Sequence, residues 1–269
     1  MELKERIREH WEQEVCGHRN GLGAQGKEYF DNIDRERYRQ EPMIHDFARF
    51  EESKGRKVLE VGLGTGADFI RWVRAGAEAY GRDLTRASVE TVGERLRLEG
   101  LTADVAQGDA EKLEFPDNTF DIYYSWGVLM ATPDINAALR EAHRVLKPGG
   151  VLRIMLYHYP SVGAYLVWLR HSVMALKMET VKECYYHNVE SPGMKLYSVN
   201  QASGLVSRHF GKEPEVRTYL GAGDLLTHNF SDKYRGLHWK AAKLVYPRRF
   251  VRHVIGDRFG TEMTMEVTK

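Results

Sequence analysis

Three things are scarce in this chain, and each scarcity closes off a class of protein. Two cysteines in 269 residues, Cys16 and Cys184, are too few for a disulfide scaffold. They fit a reduced, cytoplasmic setting better than a secreted one. An excess of either charge is missing too: 39 basic and 38 acidic side chains leave a net +1, which gives no global pull toward nucleic acid. No apolar run is long enough to span a bilayer. Residues 1–9 are charged and lack the apolar core of a signal peptide. Internal repeats and low-complexity tracts are absent as well. What remains, 42% hydrophobic and 29% charged, is the make-up of an ordinary globular protein. The length suits one large α/β domain or a domain with a lid.

One stretch organises the rest: Val58-Leu59-Glu60-Val61-Gly62-Leu63-Gly64-Thr65-Gly66. It reads as a buried strand, a tight glycine turn and a helix running through Phe69, Ile70 and Trp72. Glycine serves where a ligand must approach the backbone closely. The helix start that follows presents free N–H groups to whatever sits there. Gly62, Gly64 and Ala67 also satisfy the G-x-G-x-x-A dinucleotide pattern, which by itself admits a nicotinamide oxidoreductase. Glu60 argues against that reading. A carboxylate two residues before the first glycine suits a cationic ligand and sits badly beside a pyrophosphate. Asp83 closes the strand expected at 77–82, where it is placed to accept both ribose hydroxyls.

Further along come Gly108-Asp109-Ala110, Phe115-Pro116-Asp117-Asn118-Thr119-Phe120-Asp121 and Val145-Leu146-Lys147-Pro148-Gly149-Gly150. As a set, in this order from Val58 to about Tyr157, these motifs make the chain resemble the class I S-adenosylmethionine-dependent methyltransferases, in particular the small-molecule, methyltransferase type 11-like branch. The resemblance implies an α/β fold with a doubly wound, mostly parallel seven-stranded sheet, S-adenosyl-L-methionine as cofactor and a small-molecule acceptor. It implies cofactor contacts from Glu60, Gly62, Gly64 and Gly66, and from Asp83 and Leu84. Asp109 and Ala110 would follow, the acid accepting from the adenine amino group, with Ser125 and Trp126 after the fourth strand. An N-terminal helix in such proteins commonly folds over the cofactor. Tyr29 and Tyr38 are the candidates for that cover, since each offers a ring and a hydroxyl.

Residues 1–55 therefore read as a helical cap, with Leu3, Ile7, Trp11 and Val15 at helical spacing. Residues 56–269 read as the Rossmann-like domain, with insertions at about 160–198 and 225–258. Helices are expected at 66–75, after the N-cap Thr85, after Thr132 with Pro133 at the first position, and at 164–177 and 200–210. Strands are expected at 104–107, 120–125, 151–156 and 215–219, with an antiparallel closing strand at 260–268. The run from Cys184 to Gly193 reads as lid loop. Lys233, Arg235, Lys240, Lys243, Arg248, Arg249 and Arg252 form a basic run interleaved with Trp239, Leu244, Val245 and Phe250. It suits a phosphate, a membrane surface or an acidic partner; an amphipathic helix pair packed on the domain is the simpler account.

Two departures from the family pattern bear on chemistry. The turn Ser125-Trp126-Gly127-Val128-Leu129-Met130-Ala131 lacks the (Asp/Asn)-Pro-Pro-(Tyr/Phe) motif of methyltransferases acting on adenine, cytosine or glutamine amide nitrogens. Met130 and Ala131 stand where many small-molecule relatives carry histidines, so any base must come from elsewhere. His158 after the fifth strand, and His187 and Tyr197 in the insert, are the candidates. A soft thiol or amine acceptor fits this better than an alcohol, which needs a matched base. Cys184 and His187 are spaced too ordinarily to assign a metal set. Two other readings stay open: an enzyme cyclising the cofactor's own arm with release of methylthioadenosine, and a cofactor-binding partner subunit without catalysis. Monomer and homodimer are equally open.

Overall fold

The computed structural model describes residues 2–189, 191–227 and 244–269. The cap consists of α1 (Leu3–Gln13), α2 (Gly26–Gln40) and α3 (Met43–Ala48). The sheet unit then alternates β1 (Lys57–Val61), α4 (Phe69–Arg74), β2 (Glu78–Asp83), α5 (Arg86–Glu99) and β3 (Asp104–Gln107). It continues through β4 (Phe120–Trp126), α6 (Ile135–Val145) and β5 (Leu146–Tyr157). After β5 come α7 (Val162–Trp168), α8 (Val181–Asn188), α9 (Val199–Phe210), β6 (Glu215–Tyr219) and β7 (Glu262–Thr268).

The seven strands lie in the order β3-β2-β1-β4-β5-β7-β6. The first five strands pair in parallel, and β7 runs antiparallel between β5 and β6. The chain therefore winds outward from β1 and returns to start again at β4. That reversal opens a crevice above the carboxyl ends of β1 and β4, where open α/β sheets take their ligands. Burial on both faces explains why β1 and β4 carry adjacent apolar residues, Val58-Leu59 and Ile122-Tyr123-Tyr124, rather than alternating ones. Leu59 and Tyr123 pack on one side with Leu139 of α6 and Val206 of α9, whereas Val58 and Ile122 pack on the other with Ile44 of α3 and Val92 of α5.

Several local expectations are corrected. The run from Cys184 is not loop throughout: Cys184–Asn188 belong to α8, which starts at Val181 behind a capping box in which Thr180 and Glu183 satisfy each other's backbone N–H. The helix expected at 164–177 stops earlier, passing into a wider helical turn at Leu169–Val173. Thr132 does not cap α6. Its hydroxyl turns back to donate to the Leu129 carbonyl, and Asp134 caps the helix through the Asn136 N–H. Lys147-Pro148-Gly149-Gly150 does not merely stop the helix but already belongs to β5. Thr85 does cap α5, accepting from the Ser88 N–H. Glu190 and, in the basic run, Lys233, Arg235, Trp239, Lys240 and Lys243 lie outside the described residues.

Candidate active site

The glycine turn after β1 is shaped by close approaches on two sides. Gly62 has φ +85°, and a Cβ there would stand 2.1 Å from Cγ2 of Val128 in the loop after β4. Gly64, at φ +51°, comes so near the cap that a Cβ would lie 3.0 Å from the Cys16 carbonyl oxygen. That carbonyl accepts from the Thr65 N–H at 3.2 Å, so the segment following α1 is hydrogen-bonded directly to the turn.

Around the turn lies a cavity of about 820 Å³ that extends along the whole carboxyl edge of the sheet. Among the residues expected to contact the cofactor, Glu60, Gly62, Gly64, Asp83, Leu84, Asp109, Ala110 and Trp126 line it. From the cap come Ile7, Trp11, Val15 and Cys16. At the far end Leu166, Val167 and Arg170 on and after α7 face Tyr157, Tyr185 and Glu262.

The remaining sequence candidates do not line it. Gly66 packs on Val92 of α5. Ser125 is buried and donates to the Val61 carbonyl at 2.8 Å, tying β4 to β1. Tyr29 faces away from the cavity, its hydroxyl 2.7 Å from Nδ1 of His18. Tyr38 sits behind the floor, donating to the Ala67 carbonyl or to Asp68, each at 3.0 Å. His158 is buried with Nδ1 2.9 Å from the Gly260 carbonyl, and burial holds its pKa below the usual value of 6.5. His187 is exposed and paired with Glu179 at 3.0 Å. Tyr197 runs alongside Tyr157 and Tyr159 through backbone bonds, and burial pushes its hydroxyl up to about 12. None of the three base candidates lines the cavity.

Two of the lining acids differ from expectation in what they can still accept. The Asp83 oxygens already accept from the N–H groups of Leu63 and Gly64 and from the N–H and hydroxyl of Thr85. A carboxylate offers about four lone-pair sites, so Asp83 holds the glycine turn in shape and has little left for a ribose diol. Asp109 accepts from Lys4 of the cap at 2.7 Å and from the Glu111 N–H at 2.9 Å, which leaves about half of its capacity toward the cavity.

The floor holds a cluster that sequence reading missed. Arg37 of α2 forks onto Asp68, at 2.9 and 2.5 Å, and reaches Glu41 at 2.8 Å. Tyr124 donates to Asp68 at 2.9 Å, Trp126 to Glu41 at 3.3 Å and Trp72 to Glu60 at 2.8 Å. One guanidinium thus pairs with two carboxyls, Asp68 and Glu41, while Glu60 takes the Trp72 indole. Burial alone would raise Asp68, but the Arg37 charge outweighs it and holds the carboxyl below its ordinary value. Burial keeps Glu41 raised against Arg37, and raises Glu60 strongly, with the Asp68 charge adding to it. A cation entering here meets carboxyls that gain by ionising. Nothing local pairs position 37 with 68, although the spacing of Arg37 and Glu41 on one helix face was visible.

A cationic, nucleoside-bearing cofactor fits these residues: carboxyls at the floor, a turn that any Cβ would obstruct, and an acid at the end of the next loop. The comparisons agree. Residues 59–154 match the family model described as a methyltransferase domain. This part of the chain is similar to the class I S-adenosylmethionine-dependent methyltransferases, and the residues lining the cavity fit S-adenosylmethionine. Among curated proteins, the ubiquinone/menaquinone biosynthesis C-methyltransferase UbiE of Neisseria meningitidis is 41% identical over 119 residues, covering 42% of this chain and 48% of that protein. The chain thus spans about half the length of the curated relatives it matches. Among solved structures, an S-adenosylmethionine-dependent methyltransferase from Mesorhizobium loti superposes with a TM-score of 0.57 at 18% identity, covering 84% of this chain and 97% of that one. The [4+2]-cyclase SpnF superposes at 0.54, also at 18% identity, over 92% and 84%. These likenesses establish the fold; the reaction must be argued from the site.

Proposed function

We propose that the chain transfers the methyl group of S-adenosylmethionine in line to a small acceptor with an apolar body and a soft nucleophilic centre. That centre is carbon, as the names of the curated relatives suggest, or sulfur or amine nitrogen. The observation that carries the reading is the division of one continuous cavity. Its floor near the glycine turn is acidic, and its far end is walled by Tyr157, Leu166, Val167 and Tyr185, with Arg170 and Glu262 beside them. When bound, the cofactor supplies an activated methyl on a sulfonium; the protein has to hold the acceptor against it and keep water out. Orientation of this kind contributes up to ~7–11 kcal/mol in favourable cases. Glu60 lines the cavity with one oxygen engaged by Trp72, and its carboxylate favours a cation beside the turn. Asp109 receives the adenine amino group. Glu262, buried at the start of β7, is the carboxylate that lines the acceptor end among the described residues, and it takes the acceptor's proton where one must leave.

The test is to incubate the purified chain with S-adenosylmethionine and a metabolite extract and identify the sulfur product by mass spectrometry. S-adenosylhomocysteine supports methyl transfer. Methylthioadenosine would mean cyclisation, and binding without turnover a non-catalytic subunit. Once an acceptor is known, Glu262→Gln should lower turnover by ~10²-fold or more with cofactor affinity unchanged. An unaltered rate and pH profile would remove Glu262 from the mechanism.

A further inference from the structure

The helix that roofs the acceptor end is apolar on both faces. Gly163, Leu166, Val167 and Arg170 form the stripe that lines the cavity. On the opposite stripe Tyr165, Leu169 and Val173 are exposed. Beyond them Met174 is 74% exposed, Leu176 92% and Met178 fully exposed. A helix apolar all round is ordinarily buried, and this one is not.

The loop that carries these side chains is built rather than slack. The buried Ser172 hydroxyl donates to the Lys177 carbonyl at 2.7 Å and accepts from the Glu179 N–H at 3.2 Å. The Trp168 indole donates to the Glu179 carbonyl at 2.8 Å. Leu176 itself is held at φ +54°, a left-handed conformation that a leucine adopts only at a cost. The backbone is fixed so that Met174, Leu176 and Met178 project outward.

Charge points to what they meet. Residues 161–178 contain Arg170, His171 and Lys177 and no acid. A second exposed apolar set, including Phe250 and Val254, lies in the segment 244–259, which has four arginines against one acid. Both segments sit against the turn that closes the acceptor end: Gly163 donates to Asp224, Tyr246 to the Asp224 carbonyl and Arg248 to the Leu225 carbonyl. In a chain whose net charge is +1, the positive surplus is gathered where the apolar side chains are exposed. We propose that this face docks on an anionic lipid surface, with Met174, Leu176 and Met178 entering the headgroup boundary and the exposed Arg249 and Arg252 facing lipid phosphates. Apolar insertion and electrostatic attraction are the two terms of interfacial binding. No helix among the described residues is long and apolar enough to cross a membrane, so the contact is peripheral. It stands whatever the acceptor proves to be.

The experiment is co-sedimentation of the whole chain with phosphatidylcholine vesicles, with and without phosphatidylglycerol. The chain should pellet with the anionic vesicles, and be released as salt rises. The double variant Leu176→Asp, Met178→Asp should bind about tenfold more weakly or worse. Replacing Arg249 or Arg252, both exposed, by Gln should cost about fivefold each. Neither aspartate position lines the cavity, so unchanged S-adenosylhomocysteine binding by calorimetry shows that the variant is folded. Wild type remaining in the supernatant at low salt overturns the proposal, as does equal binding by the double variant. Self-association in light scattering that the same substitutions abolish, without vesicle binding, would assign the face to a second copy of the chain.

Discussion

The two ends of the cavity are made in different ways. Near the glycine turn the walls come from short runs of consecutive residues, 60 to 65, 83 to 85 and 108 to 111, each at the end of a strand. At the far end they come from side chains gathered across more than a hundred positions: Tyr157, Leu166, Arg170, Tyr185 and Glu262. The first end is backbone shape with buried charge beneath it; the second is side-chain surface beneath a helix. A backbone-built site tolerates little change in sequence and leaves a motif behind. A side-chain surface can be reshaped one residue at a time, and it is where the choice of acceptor resides.

Removing the charge beneath the first end should produce the largest effect. Asp68→Ala takes away the forked partner of Arg37, leaving it Glu41 alone, and leaves Tyr38 and Tyr124 without their shared acceptor. Breaking a buried pair from one side costs about 3–5 kcal/mol, so chemical denaturation should show a loss of that size. Leu166→Ala at the far end removes a partly exposed side chain and should cost clearly less. Equal losses would erase the difference between the two ends.

That difference also explains what could be read from the sequence. The mostly parallel sheet and the glycine turn were legible because β1, its glycines and Asp83 lie within one hydrophobic and turn pattern. Even there, Asp83 was visible as an acid at a strand end, but not as one whose oxygens Leu63, Gly64 and Thr85 already occupy. The cap was legible as a helical segment, yet the residues that reach the cavity are Trp11 and Cys16 rather than the tyrosines. Helical spacing fixes which residues share a face, and leaves open which face meets the sheet. Glu262 and Arg170 carry no local signal at all; only the antiparallel return of β7 beside β5 brings Glu262 opposite Tyr157.

A middle-sized effect should separate charge from shape within the first end. Glu60→Gln keeps an acceptor for the Trp72 indole and removes the negative charge. Affinity for S-adenosylmethionine should fall by about 1.5–3 kcal/mol, the range for a hydrogen bond to a charged group, and affinity for the neutral thioether product should fall less. The pH sign follows from burial. Because the folded-state pKa of Glu60 is raised, its contribution to stability is present below the unfolded value of about 4.5 and is lost as pH rises through the folded one. The ligand-free Glu60→Gln protein should therefore be no less stable than the parent at neutral pH. Cofactor binding should release protons from the parent, and fewer from the variant, when calorimetry is run in buffers of different ionisation enthalpy. Equal loss for both ligands would mean that Glu60 acts through shape.

The smallest effect concerns the cap, where the expectation and the geometry part. A tyrosine covering the cofactor would show its removal in affinity. Tyr29 instead lies on the outer side, with its ring against Phe30 and its hydroxyl on His18, and a Cβ on Gly21 would stand 2.2 Å from its ring. Its work is to hold α2 against the turn His18–Gly21, and through that turn to steady the Cys16 carbonyl on the Thr65 N–H. Tyr29→Phe removes one partly exposed hydrogen bond and keeps the ring, so stability should fall by only about 0.5–1.5 kcal/mol. S-adenosylhomocysteine affinity should stay where it was, whereas Trp11→Ala, which takes a ring out of the cavity wall, should weaken it. If Tyr29→Phe alone lowered the affinity, the hydroxyl would have to reach the ligand, and the cap would have to close by a movement that turns α2 inward.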